Sequence, residues 1–131
     1  MSVSVTWRIE KRLILVKFNK IVSVDQIELA SHYVTEYIRA GQAPVHVLVE
    51  MEGVTRYPHE FGKLAGAIPH LAENNLGKTI LVRKNDRLVQ LMISVIRHAV
   101  QIDLRMFDSN EIAMNFLHES DPTLPEIPKP A

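Results

Sequence analysis

The sequence predicts an α/β fold: a mixed five-stranded sheet with helices packed against it, in the order β-β-α-β-α-β-α-β-α. Three observations carry that expectation. Short apolar runs of strand length recur along the chain, as LILVKF at 13–18, VHVLVEM at 45–51, TILVR at 79–83 and LRMF at 104–107. Segments with apolar residues at helical spacing separate the later runs, and strands that alternate with helices imply right-handed crossovers and parallel pairing. Helix-start signals stand where those segments begin, in Ser23-Val-Asp-Gln26 and Asp108-Ser-Asn-Glu111.

The elements follow in order. Val3, Val5 and Trp7 alternate with Ser4, Thr6 and Arg8, the period of a strand with one buried face. Glu10-Lys11-Arg12 is a short polar link, so this strand and Leu13–Phe18 are expected to form an antiparallel hairpin. Ile27, Ala30, Val34 and Tyr37/Ile38 follow the first cap at helical spacing, and Gly41 is placed to stop that helix. Pro44 precedes the third strand, Val45–Met51. A second helix is expected over His59–Glu73, weakened by Gly62, Gly66 and Pro69, the last of which kinks or splits it. After the fourth strand, Asn85 or Asp86 caps a third helix, Arg87–Gln101; a short fifth strand, Leu104–Phe107, leads into the last helix. From Glu119 the chain is Pro-rich, so residues 1–118 are expected to form one domain and 119–131 an extended or disordered tail.

The chain has 131 residues, enough for one core, and 47% of them are hydrophobic, which argues against disorder. Lys plus Arg (15) equals Asp plus Glu (15), a poor basis for binding nucleic acid, and no nucleic-acid partner is expected. Cysteine is absent, which excludes disulfides, thiolate metal sites and Cys nucleophiles. The opening MSVSVTWRIEKR lacks the apolar core of a signal peptide, and no apolar run approaches the ~20 residues that span a bilayer. A cytoplasmic protein without a transmembrane segment is the expectation.

Chemistry finds little support. His59-Glu60 lacks a second histidine four residues on, where Lys63 stands. His32, His46, His70, His98 and His118 are scattered singly, with no metal-ligand spacing. Glu50 and Glu52 end the third strand near His59 and form a conceivable acid–base set, but strand-end carboxylates also cap helices or face water. Ser94 has no readable base and no glycine-rich phosphate loop is present. No catalytic residue, metal or cofactor is assigned.

The third helix is richer in apolar residues than a surface helix needs. Arg87, Gln90, Ser94, Arg97, His98 and Gln101 form one polar stripe. The apolar remainder spans roughly 200°, against the ~100° or somewhat more that faces a core. The sheet is expected to take Leu88, Leu91/Met92, Val95 and Ala99. Val89, Ile93, Ile96 and Val100 would then face a neighbouring helix, a second copy of the chain, or an apolar ligand. Gly62 and Gly66, four apart, would give a smooth face for such a ligand or for tight packing. Thr55-Arg56-Tyr57-Pro58 precedes the second helix and offers a mixed aromatic and basic surface.

The opening Val5-Thr6-Trp7, the strand Val45–Met51 with its Gly53 turn, TILVR, and the close MFDSNEIAMNFL resemble the STAS domain family over about residues 3–118. That family includes anti-sigma-factor antagonists of the SpoIIAA type; the nearer resemblance is to its SpoIIAA-like branch, whose topology is shared with lipid-binding CRAL-TRIO/Sec14 domains. The resemblance implies a regulatory role through a protein partner, such as a regulator or kinase-like protein, and a partner surface at Thr55, Arg56, Tyr57, His59 and Glu60. The antagonists carry Asp-Ser-Ser-Gly at the start of the second helix, with a phosphorylated Ser. Aligned without gaps from Val49, this chain has Pro58-His59-Glu60-Phe61 there, so the phosphoacceptor is missing and Glu60 stands in its place. Glu60 is then either an ordinary first-turn residue or a fixed negative charge that mimics the modified state, worth ~0.3–1 kcal/mol at a helix N-terminus. The leading expectation is a non-enzymatic interaction module. The alternative is a binder of a small apolar or lipid-like ligand beside helices two and three.

Overall fold

The computed structural model describes residues 3–58, 60–84, 86–99 and 102–126. Its elements are β1 (Val3–Ile9), β2 (Leu13–Phe18), α1 (Val24–Ala40), β3 (Val45–Glu50), α2 (Phe61–Ala67), a 3₁₀ turn (Pro69–Ala72), β4 (Leu76–Val82), α3 (Arg87–Ala99), β5 (Leu104–Phe107) and α4 (Asn110–Ser120). The expected α/β architecture is present: one mixed five-stranded sheet in the order β1-β2-β3-β4-β5. β1 and β2 are antiparallel, with Val5 opposite Val16 and Trp7 opposite Ile14, and Lys11 turns the hairpin at φ 67°. β2 to β5 are parallel.

Each parallel strand joins the sheet beyond the one before it. Right-handed crossovers then all fall on the same face. α1, α2 and α3 accordingly share one side. Ile14, Val16, Val45 and Val47 pack there with Val34 and Ile38 of α1. Leu81 and Leu104 pack with Leu64 of α2 and with Met92 and Ile96 of α3. Strand alternation sends Leu13, Leu48, Ile80 and Val82 to the opposite face, where α4 covers them with Ala113 and Leu117.

Local chemistry sets the element ends. Ser23 Oγ accepts from the Gln26 amide at 3.2 Å, and Ser109 Oγ from the Ile112 amide at 3.3 Å. Asp86 caps α3 by accepting from the Leu88 and Val89 amides at 3.0 and 3.3 Å. Gly41 is the C-cap of α1, and only glycine fits there, because a Cβ would lie 2.7 Å from Val45 Cγ2 and 2.8 Å from the Lys11 carbonyl. Pro69 does split the second helical segment: α2 ends at Ala67, and a separate 3₁₀ turn begins at Pro69.

Two expectations need correction. α3 buries one continuous face, which includes Met92 of the expected sheet face but not Leu91. Val89, Met92, Ile93 and Ile96 are the residues buried against the sheet and α2, while Leu91 is 52% exposed. Val89, Ile93 and Ile96 are therefore covered within the domain and are not an open dimer face; Val100 lies outside the described residues. The cause is geometric: Met92 and Ile96 lie nearly opposite the polar stripe, with Val89 beside them, whereas Leu91 borders the stripe.

The chain beyond 118 is also not a free tail through its described length. α4 continues to Ser120, and Asp121 and Leu124 are buried, Leu124 against the α4 face of the sheet. Asp121 Oδ2 accepts from Arg12 Nη2 at 2.6 Å and from buried His46 Nε2 at 2.8 Å. Arg12 also donates to the Pro44 and Thr123 carbonyls. An Asx turn closes the arrangement, the Thr123 amide donating to Asp121 Oδ1 at 3.1 Å. Residues 127–131 of the expected tail lie outside the described residues.

Candidate functional site

In a sheet of this kind, ligands and partners gather where strand ends meet helix starts. Here that region is the segment from the end of β3 to the start of α2. Its backbone is held by the chain between β2 and α1. The Thr55 and Arg56 amides donate to the Lys20 carbonyl at 2.7 and 3.1 Å, and the Val22 amide donates to the Arg56 carbonyl at 2.8 Å. Thr55 Oγ1 adds a bond to the same Lys20 carbonyl at 3.1 Å. Ile21 and Arg56 are thereby set side by side in a parallel bridge. Both are exposed, Ile21 by 55%.

Tyr57 turns the other way, into the protein. Its hydroxyl donates to the Asp86 carboxylate, 2.9 Å from Oδ2 and 3.1 Å from Oδ1. Arg83 donates to Asp86 Oδ2 at 2.9 Å and to the Met51 carbonyl, and its guanidinium lies 5.6 Å from the centre of the Tyr57 ring. Burial, then the Asp86 carboxylate, raises the Tyr57 pKa and keeps the phenol protonated. Burial alone would raise Asp86, but the bonds from Arg83, Tyr57 and the two amides outweigh it and hold its pKa down. The group ties β3, β4, the loop and the start of α3 into one unit. Asp86 was a cap candidate in the sequence; its link to Tyr57 and Arg83 has no local signature there.

The remaining candidates divide. Glu60 is exposed at the α2 N-terminus and pairs with Lys63 Nζ at 2.9 Å. His59 lies outside the described residues. Glu50 is occupied by Asn110 Nδ2 at 2.7 Å and Lys17 Nζ at 3.4 Å, while Glu52 is exposed. Gly62 falls within α2, and Gly66 faces open space, with nothing within 4 Å of a Cβ built on it. Gly66 is thus not a close-approach surface. Among the described residues no group of three or more His, Asp or Glu is placed to hold a metal, and no helix is long and apolar enough to cross a membrane.

Between the sheet and α1, α2 and α3 lies an almost wholly apolar cavity of about 100 Å³. Ile96 lines it; Val89 and Ile93 do not. Phe18, Ile27, Val49, Tyr57 and Pro58 are the half-buried residues of its lining, the last two from the loop before α2. On its α1 side, the His70 amide donates to Ser31 Oγ at 3.2 Å, and Ser31 Oγ and His70 Nδ1 share a second hydrogen bond at 2.6 Å. Burial lowers the His70 pKa to about 4, so the ring is neutral near pH 7.

These features define an α/β module with a braced loop over a small apolar cavity. Comparison with solved structures places that fold. The unphosphorylated form of the anti-sigma-factor antagonist SpoIIAA superposes with a TM-score of 0.57 at 13% identity, over 89% of this chain and 98% of that one. The phosphorylated form of the Bacillus cell-fate determinant SpoIIAA gives 0.56 at 12% identity, over 88% and 99%. An uncharacterised DUF3478 protein with a SpoIIAA-like fold from Shewanella loihica PV-4 gives 0.60 at 8% identity, over 88% and 92%. No protein-family model matches the chain, and no curated protein matches its sequence. The fold is therefore SpoIIAA-like, as the sequence resemblance implies.

Proposed function

We propose that this protein is a non-enzymatic regulatory module that binds a protein partner through Ile21, Thr55, Arg56 and the start of α2 at Glu60, with Tyr57 bracing the loop from inside. The observation that carries this reading is the exposed Ile21 beside the exposed Arg56 on a backbone already fixed by hydrogen bonds. Arginine and apolar side chains anchor interfaces, and a rigid loop loses little entropy on docking. The likeness to an anti-sigma-factor antagonist supports the same reading. With Glu60 where a switched serine would stand, the contact would be constitutive and the partner a cytoplasmic regulator. Affinity capture from lysate with the wild type and with Ile21→Asp/Arg56→Glu tests this. A partner enriched at least tenfold on the wild type and lost from the variant is the expected result; identical capture by both proteins counts against it.

A second reading is favoured by the cavity: a small apolar ligand held between the sheet and α1, α2 and α3. At about 100 Å³ it is smaller than the ~150 Å³ apolar cavity that takes up benzene, so only a very small ligand fits without movement of the lining.

A further inference from the structure

The two edges of the sheet are finished differently. β5 is four residues long, and Arg97 Nε donates to its Leu104 carbonyl at 2.8 Å. A short strand capped by a cationic side chain is a poor template for another strand. β1 forms the opposite edge, is seven residues long, and among the described residues has β2 as its only strand partner. It contains no proline, its single charge is Arg8, and its pairing with β2 is regular from Val3 to Trp7. Apolar side chains gather at this edge. Val3, Val5 and Trp7 are half-buried on the α1 side of the sheet. Tyr37 of α1 meets Trp7 edge to face with ring centres 5.0 Å apart, and its hydroxyl donates to the Val5 carbonyl at 3.3 Å. Tyr33 lies one turn earlier on the same flank of α1 and is 43% exposed.

A second copy of the chain fits this edge, because β1 is complementary to itself. Antiparallel pairing about Val5 sets Val5 against Val5 of the other copy, Val3 against Trp7 and Ser4 against Thr6, with no like charges opposed. Aromatic residues opposite β-branched ones are favourable cross-strand pairs. α1 lies over β1 and β2. Paired strands stand ~4.8 Å apart, so a two-fold axis at this edge brings two α1 helices to about 10 Å, close to the distance at which helices pack. An unrelated strand would cover β1 and leave Tyr33 bare; a second copy covers both. We propose that the protein forms a two-fold homodimer, in which two β1 strands pair antiparallel into one continuous sheet and the Tyr33 flanks of the two α1 helices pack across the seam. None of the residues of the proposed partner loop takes part.

Sedimentation velocity over a concentration series tests this. The wild type is expected to self-associate. Val5→Lys and Val5→Glu each set like charges against one another at the two-fold axis, and each should weaken self-association about tenfold or more. An equimolar mixture of the two variants sets Lys against Glu and should regain the lost affinity, which misfolded proteins would not do. Tyr33→Ala, at an exposed helix position, should weaken association about fivefold or more while leaving the circular dichroism unchanged. A wild type that stays monomeric at every concentration overturns the proposal. So does a dimer indifferent to both Val5 changes, or a mixture of the two that recovers nothing. A dimer of undiminished affinity in Tyr33→Ala overturns the α1 seam.

Discussion

Replacing Asp121 by alanine is expected to destabilise the fold by about 3 kcal/mol, because it leaves buried cationic and polar partners uncompensated. The Arg12 and Asp121 side chains are 12% and 11% exposed, and His46 is 2% exposed, so water cannot replace the lost carboxylate fully. The Lys78 amide donates to His46 Nδ1 at 2.9 Å, which fixes the neutral tautomer with its proton on Nε2, facing Asp121. Gly77 is needed for this approach, since a Cβ there would fall 2.5 Å from His46 Nδ1. Burial works to raise the Asp121 carboxyl. Bonds from Thr123 and His46 and the charge of Arg12 outweigh it and bring the pKa to about 2. Its folded pKa lies below the unfolded value of 3.8, so its contribution is complete above pH 3.8 and is lost as pH falls towards 2. Urea unfolding near pH 7 checks the size of the effect. A loss below about 0.5 kcal/mol would place Asp121 in a free tail, where surface substitutions have effects of that order.

The second large effect is a loss of stability in mild acid governed by His70. Burial depresses its pKa from 6.5 to about 4, so between those values the unfolded chain binds a proton that the folded chain refuses. Stability is therefore full above pH 6.5 and falls as pH drops through that window, by about 3 kcal/mol in all at ~1.4 kcal/mol per unit. His46 is depressed in the same direction, by burial first and only partly offset by Asp121, so the wild-type slope combines two histidines. His70→Asn separates them: its amide oxygen can accept from Ser31 without titrating. Unfolding free energies at about pH 7 and pH 4.5 should differ less in His70→Asn than in the wild type, by about 2–3 kcal/mol. Equal slopes in the two proteins would show that His70 does not titrate from a buried neutral state.

The sheet and its parallel portion were legible because the strands are short apolar runs and the starts of α1, α3 and α4 carry capping side chains. Ser23 and Asp86 cap as their positions suggest, and α4 is capped by Ser109, one residue beyond the Asp108 that begins the expected capping box. The early start of β4 at Leu76 was hidden by Gly77 and Lys78, which have low strand propensity; its pairing with Val45 is a tertiary contact. The misplacing of Leu91 came from dividing a wide apolar arc of α3 into two faces. The point opposite the polar stripe, near Met92 and Ile96, would have named the buried side. In the terminal segment, prolines dominated the pattern, yet Asp121-Pro-Thr123 carried an Asx-turn signal. Of the proposed partner surface, Thr55, Arg56 and Glu60 were readable as a loop and helix start. Ile21 was not, because it comes to Arg56 only through the bridge between two distant loops.

The most direct test of the central claim, that the braced loop is a protein-docking surface, is site-specific photo-crosslinking in cells. A photoreactive residue is placed at Arg56, and for control at Glu111, which is exposed on α4 across the sheet. A single protein adduct from position 56 that is absent from position 111 is the expected result. The same adducts from both positions, or none from position 56, would contradict it.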